Sequence, residues 1–144
     1  MSKIVVEVTN TAKREEGEMV VFFMTGRIIL GLFFVYNAFH HYADLERMSG
    51  FAGIKGVPLP RFAVGFTGFM LLLGGLSILF GVFILLGIII LEVFLAGVSF
   101  KMHDFWTVDD PQQKAMQKVN FTKNMALFGA LLMLMYFSHW PVSL

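Results

Sequence analysis

The sequence has no cysteine, and it has few charges for its length. Of its 144 residues, only 15% are charged, against about 25% in an average soluble domain. Without cysteine, this chain cannot itself carry a disulfide, a cysteine zinc site, an iron–sulfur cluster or a thiol relay. The net charge of +1 gives no basic footprint for nucleic acid.

Hydrophobic residues make up 57% of the chain, and its mean hydropathy is +0.74. A soluble domain of this size buries only about two-thirds of the surface that its unfolded chain exposes, so it could not hide this much apolar surface. The composition excludes a water-soluble globular enzyme, and it excludes a disordered chain, which needs low hydrophobicity and high charge. We therefore expect an integral membrane protein, with the lipid bilayer as its first partner.

The apolar residues form four stretches, each close to the roughly 20 residues that a membrane-spanning helix needs. After a polar N-terminal tail over residues 1–18, a transmembrane domain over 19–144 is predicted to have spans at about 19–41, 61–82, 85–104 and 120–140. The second and third spans need a tight turn between Gly81 and Gly87, because one helix over both would be too long for a bilayer. A cleaved signal peptide is a poor alternative for the first span, which starts late and contains Arg27.

The predicted fold class is therefore all-α, an integral membrane four-helix bundle with a short interfacial segment after the first helix. Leu45, Met48 and Ala52 recur at helical spacing in that segment, as in helices that lie at a membrane surface. Asp110-Pro111 followed by Gln113 has the pattern of a helix N-cap, so the last helix is predicted to begin before its apolar part.

An even number of spans puts both termini on one side of the membrane and the two long connections on the other, which we call the loop side. Most lysines and arginines outside the spans lie in the connections or at the loop-side helix ends. The positive-inside rule then predicts a cell-membrane protein with cytoplasmic connections and both termini outside.

Small residues mark one face of the second span. They are Ala63, Thr67, Gly74, Ser77 and Gly81. Such faces let helix backbones approach closely in lipid. Packing within the bundle is one interpretation, and a substrate crevice or a dimer seam is the other.

Arg27 and Glu92 are the two charges inside the apolar stretches, where an unpaired charge costs a few kcal/mol. Counted from the histidines at the loop-side helix ends, Arg27 would lie about 21 Å deep and Glu92 about 17 Å deep. These depths predict an ion pair between the first and third spans. It would either fix the helix register or form part of a proton or polar-ligand site.

A second group of polar residues collects at the loop-side membrane surface and is the candidate ligand-binding site. Its members are His40, His41, Lys55, His103, Asp104, Trp106, Asn120, Lys123 and Asn124. Anchoring at headgroup level is one interpretation. Another is a site for a polar head such as a quinone ring, to which His and Asn donate hydrogen bonds while Trp106 stacks on it. Histidines with a carboxylate could bind a metal, but no H-x-x-E-H or similar spacing supports one, so no metal is predicted.

Several motifs resemble the DoxX family of small bacterial and archaeal membrane proteins, from Gly26 to about Met133. The matching segments are Gly26–Gly31, His40–His41, Lys55–Pro60, Leu73–Ser77, His103–Trp106, Asp110–Pro111 and Phe121–Gly129. His-Asp-Phe-Trp at 103–106 and Lys-Asn at 123–124 make the resemblance specific. Phe69 and Met70 stand where many members have a glutamate, so no role is carried over for that carboxylate.

The resemblance implies a four-helix membrane bundle with a redox association. The family's namesake is similar to a subunit of a membrane thiosulfate:quinone oxidoreductase, and other members are associated with redox-stress complexes. We therefore expect a redox-associated membrane subunit that binds a quinone or lipid-like ligand, with a redox-enzyme subunit or a second copy of the chain as its partner. A scaffold or assembly protein without catalysis and a small-solute carrier are the alternatives. Whether the chain is itself an enzyme stays open.

Overall fold

The computed structural model describes residues 2–136 and Trp140. Within these residues the fold is all-α, as predicted. The helices are α1 (Ser2–Ala43), α2 (Leu45–Ile54), α3 (Pro60–Phe80), α4 (Ile84–Met102) and α5 (Pro111–Leu134), and a 3₁₀ turn covers Phe105–Thr107.

Helix α1 is one continuous helix of 42 residues, which corresponds to about 63 Å, twice the thickness of a bilayer's hydrocarbon core. Residues 2–18, which the sequence assigns to a polar tail, form its first part. No proline interrupts them, and Arg14 pairs with Glu18 one turn later. Every side chain from Val5 to Glu18 is exposed, so this part of α1 extends past the packed bundle.

Three helices, α1, α3 and α4, are long and apolar enough to cross a membrane. The described part of α5 is not among them, because lysines occupy its first half. The predicted fourth span continues to residue 140, and residues 137–139 of it lie outside the described residues. The fourth span, the common side of the termini and the orientation stay predictions.

In the connections, the structure contains the turn, the helix N-cap and the short helix that the sequence patterns predict. Residues 81–83 make the tight turn between α3 and α4, with Gly81 in the left-handed region at φ 74°. The Ser77 hydroxyl donates to the Val82 carbonyl across this turn at 2.6 Å. At the start of α5, the Asp110 carboxylate accepts the Gln113 N–H at 2.8 Å. Helix α2 occupies the segment predicted to be interfacial.

Helix α3 lies at the centre of the bundle, with α1 and α4 against it, while α5 packs on α4. The hydrophobic core between them includes Phe34, Leu71, Ile78, Leu91, Leu95 and Leu131. Trp140 also belongs to this core and meets the Phe23 ring edge-on at 5.2 Å.

Glycines set how closely these helices approach. A Cβ at Gly31 would lie 3.0 Å from the Leu79 backbone nitrogen, and one at Gly75 would lie 2.9 Å from that of Val35. On the other side of α3, a Cβ at Gly74 would lie 2.3 Å from Leu91 Cγ. The small-residue face predicted for the second span therefore packs on α4 through Gly74, and α3 has a second close contact with α1.

We expect Gly31→Ala to destabilise the bundle by about 1–3 kcal/mol, because the added methyl group meets backbone atoms of α3 that cannot move aside. Gly26→Ala on the same helix is the matched control, since nothing lies within 4 Å of its Cβ position. Unfolding of the purified variants in mixed micelles measures both. Equal stability of the two variants would contradict the packing described above.

Candidate functional site

The helix register places the two intramembrane charges at different depths. Gly74 lies at the level of Leu91, and its neighbour Gly75 lies at the level of Val35. Glu92 therefore lies about 15 Å nearer the loop side than Arg27, at 1.5 Å per residue. The sequence-based depths assumed that the histidine ends of α1 and α4 are level, but α4 extends about 10 Å further.

The predicted ion pair has no contact to support it. Salt bridges among the described residues join other groups, and none links Arg27 with Glu92. Arg27 is buried, at 6% exposure. Glu92 Oε1 is buried without a hydrogen-bond partner in the described part of the chain. Each side chain must therefore be considered in its own surroundings.

Lys55 and Asp104 form the strongest polar contact at the loop side. The Lys55 ammonium donates to Asp104 Oδ1, and the two side chains are only 17% and 19% exposed. The other carboxylate oxygen accepts the Thr107 hydroxyl at 2.9 Å. This ion pair joins the end of the first connection to the start of the second, two segments that the sequence separates by 49 residues.

His103 ends α4 and contacts α5 through its ring. Its Nδ1 lies 2.8 Å from Gln117 Oε1. Because an amide oxygen only accepts, this Nδ1 carries the hydrogen and donates it, which leaves Nε2 as the acceptor of the neutral ring. Lys55, Lys123 and Asp104 are close enough to act on the imidazole electrostatically. A hydrogen-bonding ring nitrogen thus lies among three charged side chains.

An aromatic group adjoins these polar residues. The Trp106 ring meets the Phe105 and Phe121 rings edge-on at 5.2 and 5.6 Å, and the Phe100 ring lies 6.4 Å away. Trp106 remains 51% exposed. The three phenylalanines hold its ring in place and leave part of it available to a ligand or to lipid.

The structure separates the two histidines of α1 from this group. His40 lies on an exposed face, with Nδ1 3.9 Å from Asp44. His41 donates from Nδ1 to the Asn37 carbonyl, and its ring packs edge-on against Phe94, deeper in the bundle than His103. The structure therefore brings together fewer residues than the sequence analysis assigned to the ligand-binding site. We use the name loop-side cluster for Lys55, His103, Asp104, Gln117 and Lys123, which the structure brings together, and for Trp106, which follows Asp104 by two residues.

Helix α5 adds a row of amides that continues inward from the cluster. Gln117 and Asn124 are buried, and Asn120 is half-buried. Gln117 was missed by the sequence reasoning, although it lies three residues before Asn120 and seven before Asn124 and so shares their helix face. That spacing could have identified it. Among the described residues, no group of three or more His, Asp or Glu side chains could hold a metal ion.

Chemically, the loop-side cluster offers an aromatic surface, hydrogen-bonding groups and lysine ammonium groups at the end of apolar helices. This combination suits a molecule with a polar head and an apolar tail, since each part finds a matching surface.

Comparison with known proteins gives one match. A protein-family model described as DoxX matches residues 22–104. Lys55, His103 and Asp104 lie within the matched residues, whereas Trp106, Gln117 and Lys123 follow them. No curated protein matches, and no solved structure matches.

We expect the Lys55–Asp104 pair to show a coupling free energy of about 1–3 kcal/mol in a double-mutant cycle with Lys55→Met and Asp104→Asn, because both charges are largely buried. Arg14 and Glu18, 83% and 63% exposed, are the matched control and should give about 0.2–0.5 kcal/mol. Both cycles use the free energy of unfolding in mixed micelles. Coupling no larger than in the control would show that the pair does not join the two connections.

Proposed function

This chain belongs to the DoxX family, whose model matches more than half of its length, and from that premise we propose that it is a redox-associated membrane subunit that binds a quinone or a similar lipid-like ligand. The binding site is the loop-side cluster. The observation that carries this proposal is half-exposed Trp106, held by Phe105 and Phe121 two residues after Asp104, where the chain passes from α4 to α5.

The chemistry of a quinone fits these groups. Its carbonyl oxygens accept hydrogen bonds, which the Lys123 ammonium can donate. The hydroxyl of the reduced form can donate to His103 Nε2, because Nδ1 is already used by Gln117. The flat ring stacks on an indole, and an isoprenoid tail continues along the exposed apolar surface of α4 and α5.

The redox partner of this subunit is a separate protein in this proposal. The chain has no cysteine, so a thiol or iron–sulfur step would belong to the partner. The alternative of a scaffold without chemistry is supported by a different observation. The Lys55–Asp104 pair and the aromatic group tie the two connections together, which is also what a purely structural cluster would do.

Tryptophan fluorescence distinguishes the two functions, since a bound quinone quenches a nearby indole. We expect a short-chain quinone to quench a Trp140→Phe variant, which retains Trp106, in a saturable manner. Lys123→Ala should weaken binding about tenfold, the effect of losing one charge-assisted hydrogen bond. Lys118→Ala, an exposed lysine of the same helix outside the cluster, should bind as the parent does.

A scaffold would give the opposite result. Quenching would then be linear in quinone concentration and equal in the Lys123→Ala and Lys118→Ala variants. That outcome would reject the ligand site, and the cluster would then have only the structural role of joining the two connections.

A further inference from the structure

Helices α4 and α5 share a line of polar residues that the loop-side cluster does not explain. On α4, Glu92, Ser99 and His103 lie within about 40° of one another at 100° per residue. On α5, Gln117, Asn120 and Asn124 also share one face. We refer to these six residues as the polar seam.

Two contacts show that these faces meet and that the helices run antiparallel. His103 Nδ1 lies 2.8 Å from Gln117 Oε1, and the Phe100 and Phe121 rings are 5.5 Å apart. Measured inward from the His103–Gln117 pair, Ser99 lies about 6 Å deep, Asn124 about 10 Å and Glu92 about 16 Å. Successive polar groups are therefore about 4–6 Å apart along the seam.

Two atoms of the polar seam are buried without a partner. Ser99 is 0% exposed, and its Oγ has no hydrogen-bond partner within the part of the chain that the structure describes. Glu92 is half-buried, and its Oε1 is a buried atom that likewise has no partner there. The hydroxyls of other helices, such as Thr25 and Ser49, donate to the carbonyl four residues earlier. Ser99 does not make that common bond, so its buried hydroxyl keeps an unmet hydrogen bond.

We propose that the polar seam binds a chain of water molecules that connects Glu92 with the loop side of the membrane, so that the Glu92 carboxyl exchanges its proton with that side. Two hydrogen bonds of about 2.8 Å to one water span about 5.6 Å, the size of the gaps in the seam. Buried water binds where several polar groups surround it. Carboxyl, hydroxyl and amide groups supply them here. This inference does not depend on whether the loop-side cluster binds a quinone.

The positions of the charged and titratable groups around Glu92 indicate that its proton exchanges with the loop side. The only ionisable residue of α3, Arg61, is at the loop-side end and pairs with Glu46. On α1, Arg27 lies about 15 Å toward the terminal side, and His41 lies nearer the loop side. The remaining charged or titratable groups of α4 and α5 all lie toward the loop side and are Lys101, His103, Lys114, Lys118 and Lys123.

Infrared spectroscopy of the protein reconstituted in lipid vesicles tests this proposal. We expect a protonated-carboxyl C=O band that Glu92→Gln removes and that shifts in D₂O. Asn124→Leu, which interrupts the seam, should slow that shift at least about fivefold, the factor that corresponds to one net hydrogen bond. Asn37→Leu is the control, because Asn37 lies on α1 outside the seam and donates to the Phe33 carbonyl.

Ser99→Ala provides a second test that removes a single oxygen atom and keeps the fold. It should also slow the exchange, whereas Asn37→Leu leaves the rate unchanged. The proposal is overturned if no carboxyl band depends on Glu92. It is also overturned if that band does not shift in D₂O, or if it shifts at the parent rate in the Ser99→Ala variant.

Discussion

The close approach of α1, α3 and α4 at glycine positions determines where every polar group of the bundle lies. Lipid supplies no hydrophobic force between helices, so their association depends on packing. At Gly31, Gly74 and Gly75 the neighbouring helix occupies the space that a side chain would need. These contacts fix how far each helix is shifted along its neighbours, and that shift decides which side chains meet.

One consequence is that the polar residues divide into two groups with different surroundings. Helix α4 extends about 10 Å further toward the loop side than α1, and therefore His103 meets the connections and α5 while His41 packs inside against Phe94. Glu92 and Ser99 lie further along α4, in its apolar part, where unsatisfied polar groups are costly. The loop-side cluster and the polar seam share His103 and Gln117.

The features that depend on neighbouring residues in the sequence were predictable. The apolar runs gave α3 and α4 to within a few residues, and Asp110-Pro111 gave the start of α5. Features that depend on the relative shift of helices were not. The Arg27–Glu92 pairing assumed level helix ends, and the sequence carries no sign of the offset. The apolar pattern does not show that α1 continues through residues 2–18, because polar residues end an apolar stretch without ending a helix, and no proline interrupts them.

The candidate site was predictable in its residue types but not in its partners. The sequence identified Lys55 and Asp104 separately, yet only the fold shows that they pair across 49 residues. Gln117 joins the site through the antiparallel packing of α4 and α5.

Membership of the DoxX family and the apolar helices identify a membrane protein, and a ligand held at the loop-side cluster is the central claim about its function. Native mass spectrometry of the protein, released gently from its own membrane, tests that claim most directly. The account predicts a quinone or similar lipid-like molecule bound to the intact chain and absent from a Trp106→Ala, Lys123→Ala double variant. The claim would be contradicted if the chain carries no such molecule. It would also be contradicted if the double variant retains the molecule to the same extent.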